Sequence, residues 1–319
     1  MKIVRGLRNL TEKIKSPVVA LGNFDGVHVG HQEIFKVACK RASEIDGTPV
    51  VYTFDPHPLK ILAPEQNLTL LTTFKKKMEL ISVCGIETTV CADFTRNFAK
   101  IHPRDFALKL KESFDMDSIV IGHDYSFGKG KVGGVDYLKK MGDELGFSVY
   151  VVNAVMVDGK RVSSTLVRSL VGDGHVKQVQ KLLNRYYSIA GKVVSGYQRG
   201  KAIGFPTANL ETPYELIPEV GVYAAMARIG GASDYCKGVV NVGYNPTFNR
   251  DDFIVEIHML DLDHDIYGQE IEIFFVDRLR NEVAFSSVET LRQQIEKDVE
   301  TAKGVLSGIV EVENMPAGR

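Results

Sequence analysis

The apolar positions of this chain change rhythm near its middle. In the first half, short runs that are apolar almost throughout alternate with stretches whose apolar residues recur every three or four positions. PVVALGN (17–23), TPVVYTF (48–54), IETTVCADF (86–94), SIVIG (118–122) and SVYVVNA (148–154) predict strands. Segments 30–46, 74–84, 103–114 and 134–145 predict helices; in the first, Ile34, Ala38 and Ile45 fall near one face beside Phe35 and Ala42. Strands lacking a polar face, separated by helices, imply a parallel sheet covered on both sides. Sheets of that kind bind ligands beyond the carboxyl ends of their strands.

After about residue 184 the spacing shortens. Segments 187–196, 220–229, 236–243, 252–261 and 269–280 are strand-like, several with clear alternation, with no long helix between them. Val288, Leu291, Ile295, Val299 and Ala302 then recur at helical spacing. Consecutive strands followed by one helix predict a small antiparallel β-barrel with a C-terminal helix packed on it. The fold class is therefore α/β with an appended barrel, divided near LLNRYY into domains 1–184 and 185–319. The tail from about 308 is expected to fray.

Composition narrows the function classes. A length of 319 residues favours two domains, and a formal net charge of -1 offers no bulk attraction to nucleic acid or an anionic membrane. The first residues lack an apolar signal-peptide core, and no apolar run approaches the ~20 residues of a bilayer span. The four cysteines, Cys39, Cys84, Cys91 and Cys236, lie far apart without a CxxC pair. That spacing suits neither a zinc knuckle nor a disulfide framework, and points to a reducing cytoplasm.

Chemistry concentrates in two places. The strand PVVAL runs into GNFDGVHVGH (22–31) and then a helix. Gly22, Gly26 and Gly30 permit a sharp turn and close approach of backbone to ligand, and the helix start offers free N–H groups to a phosphate. Gly22, Asn23, Phe24, Asp25 and Gly30 are the candidate phosphate-binding stretch. His28 and His31, three apart, are able to face one anion; alone, they equally fit core residues or half a metal site. In RVSSTLVR (161–168), Ser163, Ser164 and Thr165 resemble a helix N-cap cluster with Arg168 one turn on, either a pyrophosphate clamp or a plain cap. In the second half, Thr207 and Asn209 of GKAIGFPTANL (200–210) share a face if the segment is extended, and offer hard oxygens to Mg²⁺. Lys201 and Gly204 belong to its loop. Glu256 in FIVEIHML is placed opposite Val255 and Ile257, as a general base or a solvated strand residue. GKGKVG (128–133) matches GxGxxG formally, but lies well past its strand; no Walker A spacing exists.

In order and spacing, GNFDGVHVGH, TFDPHP (53–58), GHDYSFGKG (122–130) and RVSSTLVR resemble the adenylyltransferase module of bacterial bifunctional riboflavin kinase/FAD synthetases, a Rossmann-like nucleotidyltransferase domain. GFPTANL, GVYAA, GVVNVGYNPTF, VEIHMLD, DIYGQEIEIFF and LRNEVAFSSVETLRQQIEKD resemble the riboflavin kinase domain of the same enzymes. The resemblance implies phosphorylation of riboflavin to FMN and adenylylation of FMN to FAD, with ATP as substrate, Mg²⁺ as cofactor, and ADP and pyrophosphate released. It implies that His28 and His31 stabilise the transferring adenylyl group and that Ser164, Thr165 and Arg168 hold ATP phosphates. Phe54, Pro56, His57 and Pro58 would shape the flavin side, with Asp124 at a polar family position. Thr207 and Asn209 would bind Mg²⁺ and phosphate, Glu256 would be the base, and the segment around Arg280 would form a flavin-side flap. Tyr125, Lys201 and Asn184 depart from the more usual Phe, Arg and Gly. Two other readings remain: an adenylyltransferase whose barrel only senses flavin, and a nucleotidyltransferase for a pantetheine or nicotinate nucleotide.

Overall fold

The computed structural model describes the chain except residues 129–132, 196–199, 201–202, 232–233, 245–252, 261, 263 and 310–319. Two compact units emerge, Met1–Ser164 and a second beginning at Thr165. Lys201, the tail from 310 and parts of GHDYSFGKG, GKAIGFPTANL, GVVNVGYNPTF and VEIHMLD lie outside the described residues.

The first unit is the parallel sheet. Strands β1 (Lys2–Arg5), β2 (Pro17–Leu21), β3 (Thr48–Asp55), β4 (Thr88–Asp93), β5 (Ser118–Gly122) and β6 (Ser148–Val152) lie in the order β1-β4-β3-β2-β5-β6. Every pairing is parallel. β2 shows why the strand is apolar throughout: Val18 and Ala20 enter one core, Val19 and Leu21 the other. On the first face sit Ile34, Phe35, Ala38 and Ala42 of α1 (Val29–Glu44) and Met78, Leu80 and Ile81 of α3 (Phe74–Val83), the short α2 (Pro58–Leu62) preceding α3. On the other sit Phe106, Ala107, Leu110 and Phe114 of α4 (Pro103–Phe114) and Leu138 and Met141 of α5 (Val135–Leu145). Burying each such large side chain contributes about 1.5–3 kcal/mol, so both faces are strongly specified. The edge strand β1 has only Val4 buried, too weak an apolar signal to be read from sequence. A two-stranded hairpin, β7 (Met156–Val157) and β8 (Lys160–Arg161), completes this unit before α6 (Ser164–Gly172).

The strand order places the motifs. The chain runs outward from β2 through β3 and β4 on one side and through β5 and β6 on the other, so the order reverses at β2. Crevices form at such a reversal, beyond the carboxyl ends of the strands. GNFDG leaves β2, FDPHP leaves β3 and GHDYS leaves β5, all three from that end.

The second unit is a closed antiparallel barrel, β10-β13-β12-β11-β14-β9. Its strands are β9 (Tyr187–Val194), β10 (Ala208–Glu211), β11 (Gly221–Ile229), β12 (Cys236–Tyr244), β13 (Phe253–Met259) and β14 (Glu270–Arg280). Five strands match the strand-like segments of the sequence; the sixth, β10, is short and polar, and closes the barrel between β9 and β13. On β11, Val222, Ala224 and Met226 pack with Ala302 and Leu306 of α8 (Val288–Leu306), whereas Tyr223, Ala225 and Ala227 fall on the alternate face. Ser287 and Thr290 cap α8 reciprocally. The helices α6 and α7 (Val176–Leu183) belong to this unit: Lys177 pairs with Asp277 at 2.7 Å, and Arg278 donates to the Asp173 carbonyl. Asn184 ends α7 with φ 54°, the left-handed conformation that the departure from Gly requires.

Candidate active site

The turn after β2 is shaped from beneath. Phe24 and Val27 adopt φ of 55° and 41°, a region side chains rarely occupy, so neighbours must hold them there. The Phe24 ring is buried against Phe35 and the edge of His31, so this residue serves the turn through its backbone. The Asp25 carboxylate, also buried, accepts from the Leu71 N–H at 3.1 Å, the Thr72 N–H at 3.3 Å and the Thr72 hydroxyl at 3.3 Å. These contacts anchor the loop. The Ser164 hydroxyl donates to the Asp25 carbonyl at 2.9 Å, joining two motifs that lie 139 residues apart. Thr165 and Arg168 follow on α6 in the second unit.

His28 is the N-cap of α1, its Nδ1 accepting the His31 N–H at 3.3 Å. The two imidazoles stack with centroids 3.6 Å apart, so the i, i+3 spacing does bring them together at the helix start. A Cβ at Gly30 would lie 3.2 Å from the His28 ring, and one at Gly22 would lie 2.8 Å from the Phe24 ring. Both glycines therefore keep room for their neighbours. Paired imidazoles at a helix start, where the backbone carries partial positive charge, are an arrangement that suits an anion.

On the neighbouring strand end, the Asp55–Pro56 bond is cis and His57 caps α2 by accepting the Leu59 N–H, with Pro58 as first helical residue. Phe54 is mostly buried against Tyr52, Phe94 and Phe98. Beside them an open cavity of about 440 Å³ is lined by Pro56, Lys60, Ile61, Asp93, Phe94 and Arg96. Asp124 is exposed and lies 3.9 Å from Arg161, linking GHDYS to RVSS.

In the barrel the register assembles a second constellation. Asn209 pairs with Glu256, and Glu256 pairs on its other side with Asn241, giving a row of three polar residues across β10, β13 and β12. Directly paired residues share a face, and buried Val255 and Ile257 flank Glu256 on the opposite one. His258, on the same face as Glu256, contacts the Pro206 carbonyl through Nδ1 at 2.8 Å, which holds exposed Thr207 and its neighbours over β13. The loop before it folds back, the Phe205 N–H donating to the Gly200 carbonyl at 2.8 Å, with Gly204 at φ 89°. Thr207 and Asn209 supply two hard oxygens, a donor set that fits a cation completing its shell with phosphate and water.

Arg280, expected on the flavin side, has an ion-pair partner within its own unit. Its guanidinium forks onto buried Asp298 of α8, with Nε at 3.0 and 3.1 Å and Nη2 at 2.8 Å from the carboxylate oxygens. Sequence reasoning also passed over Thr53, Thr72, Lys77 and Asn241. For Lys77 a signal existed: it shares a helical face with Phe74 and Ile81.

The FAD synthetase family model matches residues 10–166, and the riboflavin kinase model matches residues 183–306. A protein of Escherichia coli strain K12 named bifunctional riboflavin kinase/FMN adenylyltransferase is 33% identical over 95% of this chain and 97% of its own. One of the same name from Listeria monocytogenes is 36% identical over 88% of this chain and 90% of its own. Among solved structures, one named macrolide-efflux protein from Streptococcus pneumoniae superposes with a TM-score of 0.88 at 31% identity, covering 95% of this chain and 99% of that one. Among the described residues no helix is long and apolar enough to cross a membrane.

Proposed function

The chain belongs to the bifunctional riboflavin kinase/FMN adenylyltransferase family, and we propose that each of its two motif series serves one of two consecutive ATP-dependent reactions. The enzyme phosphorylates riboflavin to FMN and adenylylates FMN to FAD. The observation that carries the assignment of residues is the convergence of each series: GNFDG, FDPHP and GHDYS at one end of the sheet, and Asn209 with Glu256 on adjacent strands. The catalytic boundary is proposed at 184/185, where α7 ends.

In adenylyl transfer, the FMN phosphate attacks the α-phosphorus of ATP and pyrophosphate leaves. No covalent protein intermediate is needed; alignment and charge stabilisation suffice. His28 and His31 are proposed to donate to the transferring phosphoryl oxygens, and the turn Gly22–Gly30 to hold phosphates through its backbone N–H groups. Ser164 orders that turn through the Asp25 carbonyl. The phosphate-binding roles of Thr165 and Arg168 rest on the resemblance. The cavity lined by Pro56 and Phe94 is proposed to receive the flavin ring; the flavin-side roles of Phe54, His57, Pro58 and Asp124 rest on the resemblance.

In the kinase reaction, Glu256 is proposed to take the proton of the ribityl 5′-hydroxyl as that oxygen attacks the γ-phosphorus of ATP and ADP leaves. Thr207 and Asn209 are proposed to hold Mg²⁺, which when bound neutralises charge on the phosphates. A cytoplasmic location is proposed from the wide spacing of the four cysteines, which form no CxxC pair. Chromatography after incubation with riboflavin, ATP and Mg²⁺ tests the reading: FMN and then FAD should accumulate, and the appearance of neither would overturn it.

A further inference from the structure

A buried ammonium must find acceptors, and their location indicates its purpose. Lys77 of α3 is 9% exposed. Its Nζ donates to the Phe54 carbonyl at 3.2 Å and to the Asn23 carbonyl at 3.4 Å. Asn23 lies in the turn after β2, and Phe54 at the carboxyl end of β3. These are the loops assigned above to the nucleotide and to the flavin. The Thr53 hydroxyl donates to the same Asn23 carbonyl at 3.1 Å, immediately before the strained Phe24 backbone.

The surroundings favour a bridge over a simple ion pair. Asp25, Asp55 and Cys91 face Lys77 along with Arg5, and desolvation dominates, holding its pKa below the ordinary lysine value. Asp55 is engaged by Arg5 at 2.6 Å, and Asp25 by the backbone of Leu71 and Thr72. A lysine kept in so dry a place, with two backbone carbonyls as hydrogen-bond acceptors, defines the separation of the chain segments that own them.

We propose that Lys77 is a positioning residue for adenylyl transfer, setting the nucleotide-side turn and the flavin-side loop at the separation that in-line attack requires. The inference rests on the adenylylation reading given above. With the turn assigned to the nucleotide and the loop to the flavin, loss of the bridge is expected to leave the binding of each substrate in place. Their mutual alignment is lost, and a displacement near 1 Å is able to cost on the order of 10²-fold in rate.

The test is Lys77→Met in the full chain, with steady-state FAD formation from supplied FMN and ATP. We expect kcat to fall by on the order of 10²-fold while both KM values stay within about threefold, the signature of lost alignment. ATP-binding stoichiometry and conversion of riboflavin to FMN should match the wild type. Thr53→Val, which removes the second donor to Asn23, should show the same split to a smaller extent, and it decides the matter if Lys77→Met fails to fold. Unchanged kcat, or a loss confined to KM, in the folded variant overturns the proposal. Failure of the wild type to form FAD from FMN would instead overturn the underlying reading.

Discussion

Asp298→Ala separates a structural arginine from a substrate-binding one. In the wild type, Asp298 lies buried with its carboxylate receiving Nε and Nη2 of Arg280 and the Gln294 amide at 2.9 Å. Removing one partner strands the other's charge in a half-buried site, at a cost of about 3–5 kcal/mol. For a unit of this size each kcal/mol moves the melting midpoint by about 2–4 °C, so a drop of roughly 6–20 °C is expected. Calorimetry of the full chain measures it, with the transition of the first unit as internal reference. The double variant Arg280→Met/Asp298→Leu should recover most of the loss, because an apolar pair replaces two charges. If Arg280 contacted flavin directly, Arg280→Met would raise the KM for riboflavin with little change in melting. A shift under about 2 °C for Asp298→Ala would refute the structural reasoning, since it falls below a single kcal/mol.

His31→Ala should lower FMN adenylylation by roughly 10²–10³-fold, the usual effect of removing one transition-state donor, while riboflavin phosphorylation persists. Loss of both activities in a folded variant would contradict the separation of the sites. Glu256→Gln should lower phosphorylation by about 10²–10⁴-fold and leave supplied FMN convertible to FAD. Retained kinase turnover would remove Glu256 from the role of base.

The periodicity of the chain carried the architecture because burial imposes it. A strand buried on both faces has to be apolar throughout, as β2 is, and a barrel strand covered on one face only has to alternate, as β13 does. The glycine turn, the paired histidines and PTAN were legible for a related reason: local steps of one, two or three residues already decide which of them face together. Elements with little apolar content, such as the edge strand β1 and the closing strand β10, carry no such pattern and take their form from their neighbours' unpaired backbone groups.

Tertiary structure alone decided which partners the polar side chains of these motifs find. Asp25 stands within the phosphate turn, yet the amides of Leu71 and Thr72 claim its carboxylate from 46 and 47 residues away. Arg280 leaves the end of β14, but Asp298 on α8 takes its guanidinium. Lys77 reads as one of three consecutive lysines, and only the folded chain turns its ammonium beneath two loops. Residue type and spacing settle what a side chain is able to do. Its partners arrive from distant segments, and hydrogen bonding falls off too steeply with distance and angle for sequence separation to foretell them.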